Sequence, residues 1–167
     1  MKLLVDTYLS IFEDEKKEVK NVIDIARNAS PDFKLTEKTR TLIELVNHIA
    51  QIPRIDIGIY SGELDSGEKA HAMEVELTRE KFDDILKIFD DGCNYLQKYF
   101  SNMTDEDFLE ENLKAFYELD REAQAWTHYF AKLITHMVLH KGILWAYLKA
   151  ANLNVNMFTY YGAKLED

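Results

Sequence analysis

The sequence predicts an all-α protein folded as an antiparallel four-helix bundle. Three observations carry that expectation. Four stretches repeat apolar residues at spacings of three and four, and no stretch alternates apolar and polar residues as a strand would. The 167 residues include only two prolines and six glycines, which suits long helices with short connections.

The first helix is expected from Leu3 to Ala26. Leu4, Tyr8, Ile11, Phe12, Val19, Val22, Ile23 and Ala26 form its inward stripe, and the charged run Glu13–Glu18 faces solvent. Asn28 to Pro31 is turn chemistry, because the residue before a proline is pushed out of the helical region. Thr36 reads as the N-cap of a second helix that carries Leu42, Leu45, Val46, Ile49 and Ile52 inward until Pro53. His48 lies on this helix beside the stripe. From Ile55 to Leu77, glycines, serines and mixed charges predict a long loop. Thr78 opens the third helix, where Phe82, Ile85, Leu86, Phe89, Cys93, Leu96 and Phe100 recur at helical spacing. Thr104 caps a short acidic segment. The fourth helix is expected from near Asp120 to about Ala151, followed by an irregular aromatic tail from Asn152 to Gly162.

Composition narrows the function. At this length one domain with a sizeable core is expected, and a hydrophobic content of 47% rules out compositional disorder. Twenty basic against 30 acidic side chains leave a net charge of −10. Such a surface repels phosphate backbones, so no nucleic-acid partner is expected. Cys93 is the single cysteine, which excludes an intrachain disulfide and fits a reducing, cytoplasmic setting. The N-terminal stretch meets acids at Asp6, Glu13 and Asp14 without a cleavage site, so it does not read as a secretory leader. The most apolar stretch, Phe130 to Ala151, contains Lys132, His136, His140, Lys141 and Lys149, which excludes a membrane span. There is no P-loop, no GxGxxG and no cysteine pair.

The chemistry-bearing residues are histidines. His136 and His140 extend an inward row with Tyr129, Leu133 and Tyr147, and four residues on a helix return to nearly the same face. Two readings fit them. As core or rim residues they need hydrogen-bond partners for every ring nitrogen; as ligands, one ion satisfies one nitrogen of each. The HxxxH spacing alone is weak and lacks the glutamate of HExxH. His48, on a second inward face, supplies a third ligand and would leave open coordination positions. Glu44, one turn before His48, is either a fourth ligand, an acceptor behind one, or a surface acid. His71 lies in polar sequence, and His128 is about 80° from the 136/140 face, so neither is assigned. Cys93 on an apolar stripe reads as core, and Trp145 and Tyr147 fit either packing or a pocket mouth.

Two segments resemble a known family. "TRTLIELVNHIA" is similar to the second helix of DinB-like (DinB/YfiT) proteins, and "LITHMVLHKGILWAYLKAANLNVNMFTYYG" to their last helix and tail, with two histidines four apart, a basic residue, a glycine and a closing "YG". The resemblance extends in architecture over residues 1–167 as a single domain. It implies a divalent metal (zinc, nickel or iron) held by His48, His136 and His140, a homodimer, and activity of the thiol-dependent S-transferase or hydrolase type with a low-molecular-weight thiol co-substrate such as bacillithiol or mycothiol. Many members carry His-His-Arg-Gly-Gln where this chain has Leu139-His140-Lys141-Gly142-Ile143, a difference expected to remove polar groups near the metal and alter substrate recognition. No catalytic base can be named. The competing expectation is a non-catalytic interaction module, or a stress-response metal or ligand sensor, with the same histidines.

Overall fold

The computed structural model describes residues 2–165; the regular elements among them are helices, with no strand. The elements are α1 (Leu3–Ala26), α2 (Leu42–Tyr60), α3 (Gly67–Leu77), α4 (Phe82–Ser101), α5 (Asp105–Leu109), α6 (Trp126–Ala150) and α7 (Met157–Tyr160). Of the long helices, α1 packs on α4 and α6, and α2 packs on the same two, while α1 and α2 scarcely meet. The inward stripes of all four meet in one core that includes Phe12, Ile49, Phe89, Phe100, Phe130 and Leu144. Phe130 stacks on Phe100 with ring centroids 4.6 Å apart. No described helix is long and apolar enough to cross a membrane.

Several element ends differ from the sequence expectation, each for a local reason. The cap of α2 is Thr41, not Thr36: its hydroxyl accepts from the Glu44 amide, and the Glu44 carboxylate accepts from the Thr41 amide at 2.7 Å. This reciprocal capping box holds the Glu44 carboxyl below its usual range and engages it at the helix terminus rather than at the histidines. Helix α2 also runs through Pro53 to Tyr60. A proline costs one backbone hydrogen bond, and close packing offsets it here. Gly92 of α4 sits so near that a Cβ there would lie 3.3 Å from Arg54 and 3.6 Å from Pro53. Residues 67–77, expected as loop, form α3 under a Ser66 cap; only Ala70 in it is buried, so it carries almost no amphipathic signal. Helix α4 starts at Phe82 rather than Thr78, and α6 starts at Trp126 rather than Asp120.

The segment between α5 and α6 is pinned through Glu118. Its carboxylate accepts from the Tyr129 hydroxyl at 2.6 Å, from Lys132 at 2.7 Å and from Arg121 at 3.0 Å. Burial opposes the charge, but these hydrogen bonds outweigh it and hold the carboxyl down at about 2. A carboxyl depressed in the folded state stabilises fully above its unfolded pKa, near 4.5, and loses that contribution as pH falls toward 2. Between those limits Glu118→Gln is therefore expected to show a flatter melting temperature against pH than the parent. Parallel slopes would contradict this.

Candidate metal centre

Helix α2 presents His48 two turns beyond its cap, and α6 presents His136 and His140 on the face turned to α2. The three rings meet, with centroids 5.5 Å apart for His48 and His136, 4.5 Å for His48 and His140, and 4.8 Å for His136 and His140. One nitrogen of each lies within 4.8 Å of the others, and all three residues are half-buried. The structure thus brings together the three histidines named from the sequence.

Nε2 of His48 and Nε2 of His140 are 3.3 Å apart. Two ligand nitrogens on a tetrahedral zinc, each at about 2.0–2.1 Å, would stand about 3.3–3.4 Å apart. The spacing also allows one N–H···N hydrogen bond. Burial, the neighbouring imidazoles and the Arg40 guanidinium keep both rings neutral: His48 is lowered to about 3 and His140 to about 4. Neutral imidazole is the form that binds metal. Nδ1 of His140 is buried with no partner.

His136 is anchored by a residue that sequence reasoning missed. Asp56 Oδ2 lies 2.9 Å from His136 Nδ1, and the Asp56 side chain is only 7% exposed. Burial pushes this carboxyl up, and the contact with His136 pulls against that shift. With its proton on Nδ1, His136 donates to Asp56 and leaves the Nε2 lone pair free. The available signal was a lone acid in the apolar run "IPRIDIGIY", eight residues beyond His48 and so on the adjoining face of α2.

The other candidates fall elsewhere. His71 is exposed beside Glu74, and His128 packs edge-on against Tyr129. Cys93 is buried, and burial pushes its thiol well up, so it is core. Trp145 packs against Tyr160, and the Tyr147 hydroxyl donates to the Arg40 carbonyl at 2.8 Å, so both serve packing. The positions that depart from the family pattern are not at the histidines. Leu139 and Ile143 are 58% and 37% exposed on the outer face of α6, and Lys141 turns toward α1. The expectation that these changes strip polar groups from the metal's surroundings is corrected: one position along a helix turns a side chain by about 100°.

Two cavities flank His48. The wider, about 430 Å³, includes Arg40, Asn47, Gln51 and Arg79 in its lining; the other, about 240 Å³, includes His136, Asp56 and Tyr60. Asn47 and Gln51 shape the first by bonding α3 and the chain that follows it. The Asn47 amide donates to the Arg79 carbonyl, and the Gln51 amide donates to the Glu74 carbonyl.

The fold and site together define an all-α protein with a half-buried cluster of three histidines between two helices. No family model and no curated protein matches the sequence. Among solved structures, that of a candidate DinB-family member from Exiguobacterium sibiricum 255-15 is similar over 93% of this chain and 94% of that one, with a TM-score of 0.67 and 15% identity. At that identity the likeness is one of fold, and the fold of this chain is DinB-like.

Proposed function

We propose that His48, His136 and His140 hold a divalent metal ion and that the protein is a metal-dependent enzyme of the thiol S-transferase or hydrolase type. The observation that carries this is the convergence of three ring nitrogens, one ring being oriented from behind by a buried carboxylate. A divalent ion bound there would lower the pKa of a ligated water or thiol, supplying a nucleophile at neutral pH. The protein's own part is to hold the His48 and His140 rings neutral, fix the tautomer of His136 through Asp56 and leave one side open to two cavities. Imidazole ligands suit zinc, nickel or iron. The low-molecular-weight thiol, the homodimer, the cytoplasmic location and the reading of residues 1–167 as one domain belong to the same proposal. They are supported by the resemblance and by the lone cysteine.

A second reading is favoured by the 3.3 Å contact between His48 and His140, which can be a hydrogen bond of a purely structural cluster. The protein would then be a non-catalytic interaction module; a metal or ligand sensor would bind the ion without turnover. Metal content after native purification, followed by melting with and without added zinc or nickel, separates these readings. Metal-free protein with an unchanged melting curve would sink the enzyme proposal.

Asp56→Asn keeps an acceptor for His136 Nδ1 and removes the charge. Losing an outer partner of a ligating histidine typically costs about 10–100-fold in metal affinity, and that is the expected loss here. Competition against a chelating indicator measures it. Affinity equal to the parent's would mean that Asp56 serves the fold alone.

A further inference from the structure

The smaller cavity is floored by one stripe of α2. His48, Ile52, Ile55 and Ile59 follow at spacings of four, three and four, so a single helix face runs from the histidine cluster to the far end of the cavity. Asp56 and Tyr60 stand on the adjoining face, and His136 enters from α6. Gln51 of α2, Tyr117, half-exposed on the segment before α6, and Glu74 of α3 complete the lining.

Three features define what this space can hold. It borders both His48 and His136, whereas the wider cavity borders His48 without His136. Its volume is about 240 Å³; an aliphatic cavity of about 150 Å³ accepts benzene, so one ring with a small substituent fits. Its lining includes Asp56 and Glu74 but no lysine or arginine, while Arg40 and Arg79 line the wider cavity. An anionic body entering the smaller cavity would give up its hydration with no lysine or arginine to receive it. The Gln51 amide already donates to the Glu74 carbonyl and the Thr78 hydroxyl, so beyond the histidines the donors left for a ligand are the neighbouring hydroxyls of Tyr60 and Tyr117. Burial pushes the Tyr60 hydroxyl far up, so it stays protonated and can donate.

We infer that the smaller cavity receives the reacting end of the substrate, and that the molecule it accepts is uncharged and apolar, about one aromatic ring in size, with a hydrogen-bond acceptor. The inference deepens the proposed function and rests on it for what the reacting end meets, namely a metal at the cluster. Whether the cavity binds such a molecule does not depend on the metal.

The test uses ¹⁹F NMR on the protein as purified, with metal content measured on the same sample. The probes are 4-fluorobenzyl alcohol and 4-fluorobenzenesulfonate, similar in ring and opposite in charge character. The alcohol is expected to broaden on binding, at least about tenfold more tightly than the sulfonate, the discrimination that one unmet polar group typically produces. Ile59→Trp, which fills the cavity from a half-buried position, is expected to abolish alcohol binding. Tyr60→Phe keeps the ring and its stack on Tyr129, at 4.5 Å, and is expected to weaken the alcohol severalfold while leaving fluorobenzene unaffected. Equal binding of the sulfonate, no binding of the alcohol, or unchanged alcohol binding in a folded Ile59→Trp protein would overturn the inference; should that variant misfold, Tyr60→Phe decides. Alcohol binding in a protein that takes up no metal would uphold the cavity assignment and overturn the metal reading. Metal uptake without alcohol binding would do the reverse.

Discussion

His136→Ala should lower metal affinity by more than about 100-fold, beyond what losing a partner behind a ligand costs, because it removes a ligand itself. The helices should survive. The His136 side chain is 31% exposed, and the core beneath α6 is built from Leu133, Met137 and Leu144, which the substitution does not touch. The substitution does strand Asp56. A buried carboxylate without its partner takes up a proton rather than remain charged, so the alanine variant carries a neutral Asp56. His136→Asn addresses this, since its side-chain amide can donate to Asp56 as the imidazole does while offering no ligand nitrogen. Both variants should fail to bind metal, and the asparagine variant should melt closer to the parent. One equivalent of metal retained by either would show the assignment of His136 to be wrong.

Lys141→Met should destabilise the fold by about 3 kcal/mol, the lower end of the cost of breaking a buried ion pair by removing one partner. For a protein of this size that corresponds to a melting temperature lower by roughly 6–12 °C. The Lys141 side chain is 2% exposed; its ammonium is 2.9 Å from one Glu15 oxygen and also contacts Glu18, both on α1. It lies 4.4 Å from the Tyr160 ring of α7. Burial opposes the lysine charge, but hydrogen bonds to Glu18 and Glu15 outweigh it and raise its pKa, whereas burial keeps the Glu15 carboxyl above its usual range. Methionine preserves the apolar stem and leaves two carboxylates uncompensated, so the measured loss reports charge rather than packing. The lower end of the range applies because Glu18 is 21% exposed and can regain water. Metal affinity should stay as in the parent, since Lys141 faces α1 while the neighbouring His140 faces α2. Unchanged stability would mean the triad is solvated, and lost metal binding would mean that it positions His140.

The residues show where reading ahead of the structure succeeds. Periodicity placed Phe89, Cys93 and Leu96 on the inward face of α4 and Phe12 and Val19 on that of α1, and all five are buried. It failed at α3, where just Ala70 is buried and the stripe has nothing to reveal. It failed again at Pro53, because a rule about proline does not know that Gly92 of another helix packs against it. Thr41 and Glu44 spell a capping box in the sequence itself, so the choice of Thr36 overlooked a local signal rather than lacking one.

The site divides along the same line. A helix is a local object whose side-chain directions follow from spacing, so spacing alone puts His48, His136 and His140 on inward faces of two helices. Which of those faces meet, and at what height, depends on how the helices slide and rotate against one another. It takes the packed bundle to bring His48 against His140 across 92 residues, Asp56 behind His136 across 80, and Lys141 to Glu15 across 126. Those partnerships arise from packing many apolar side chains at once, and no single stretch of sequence encodes them.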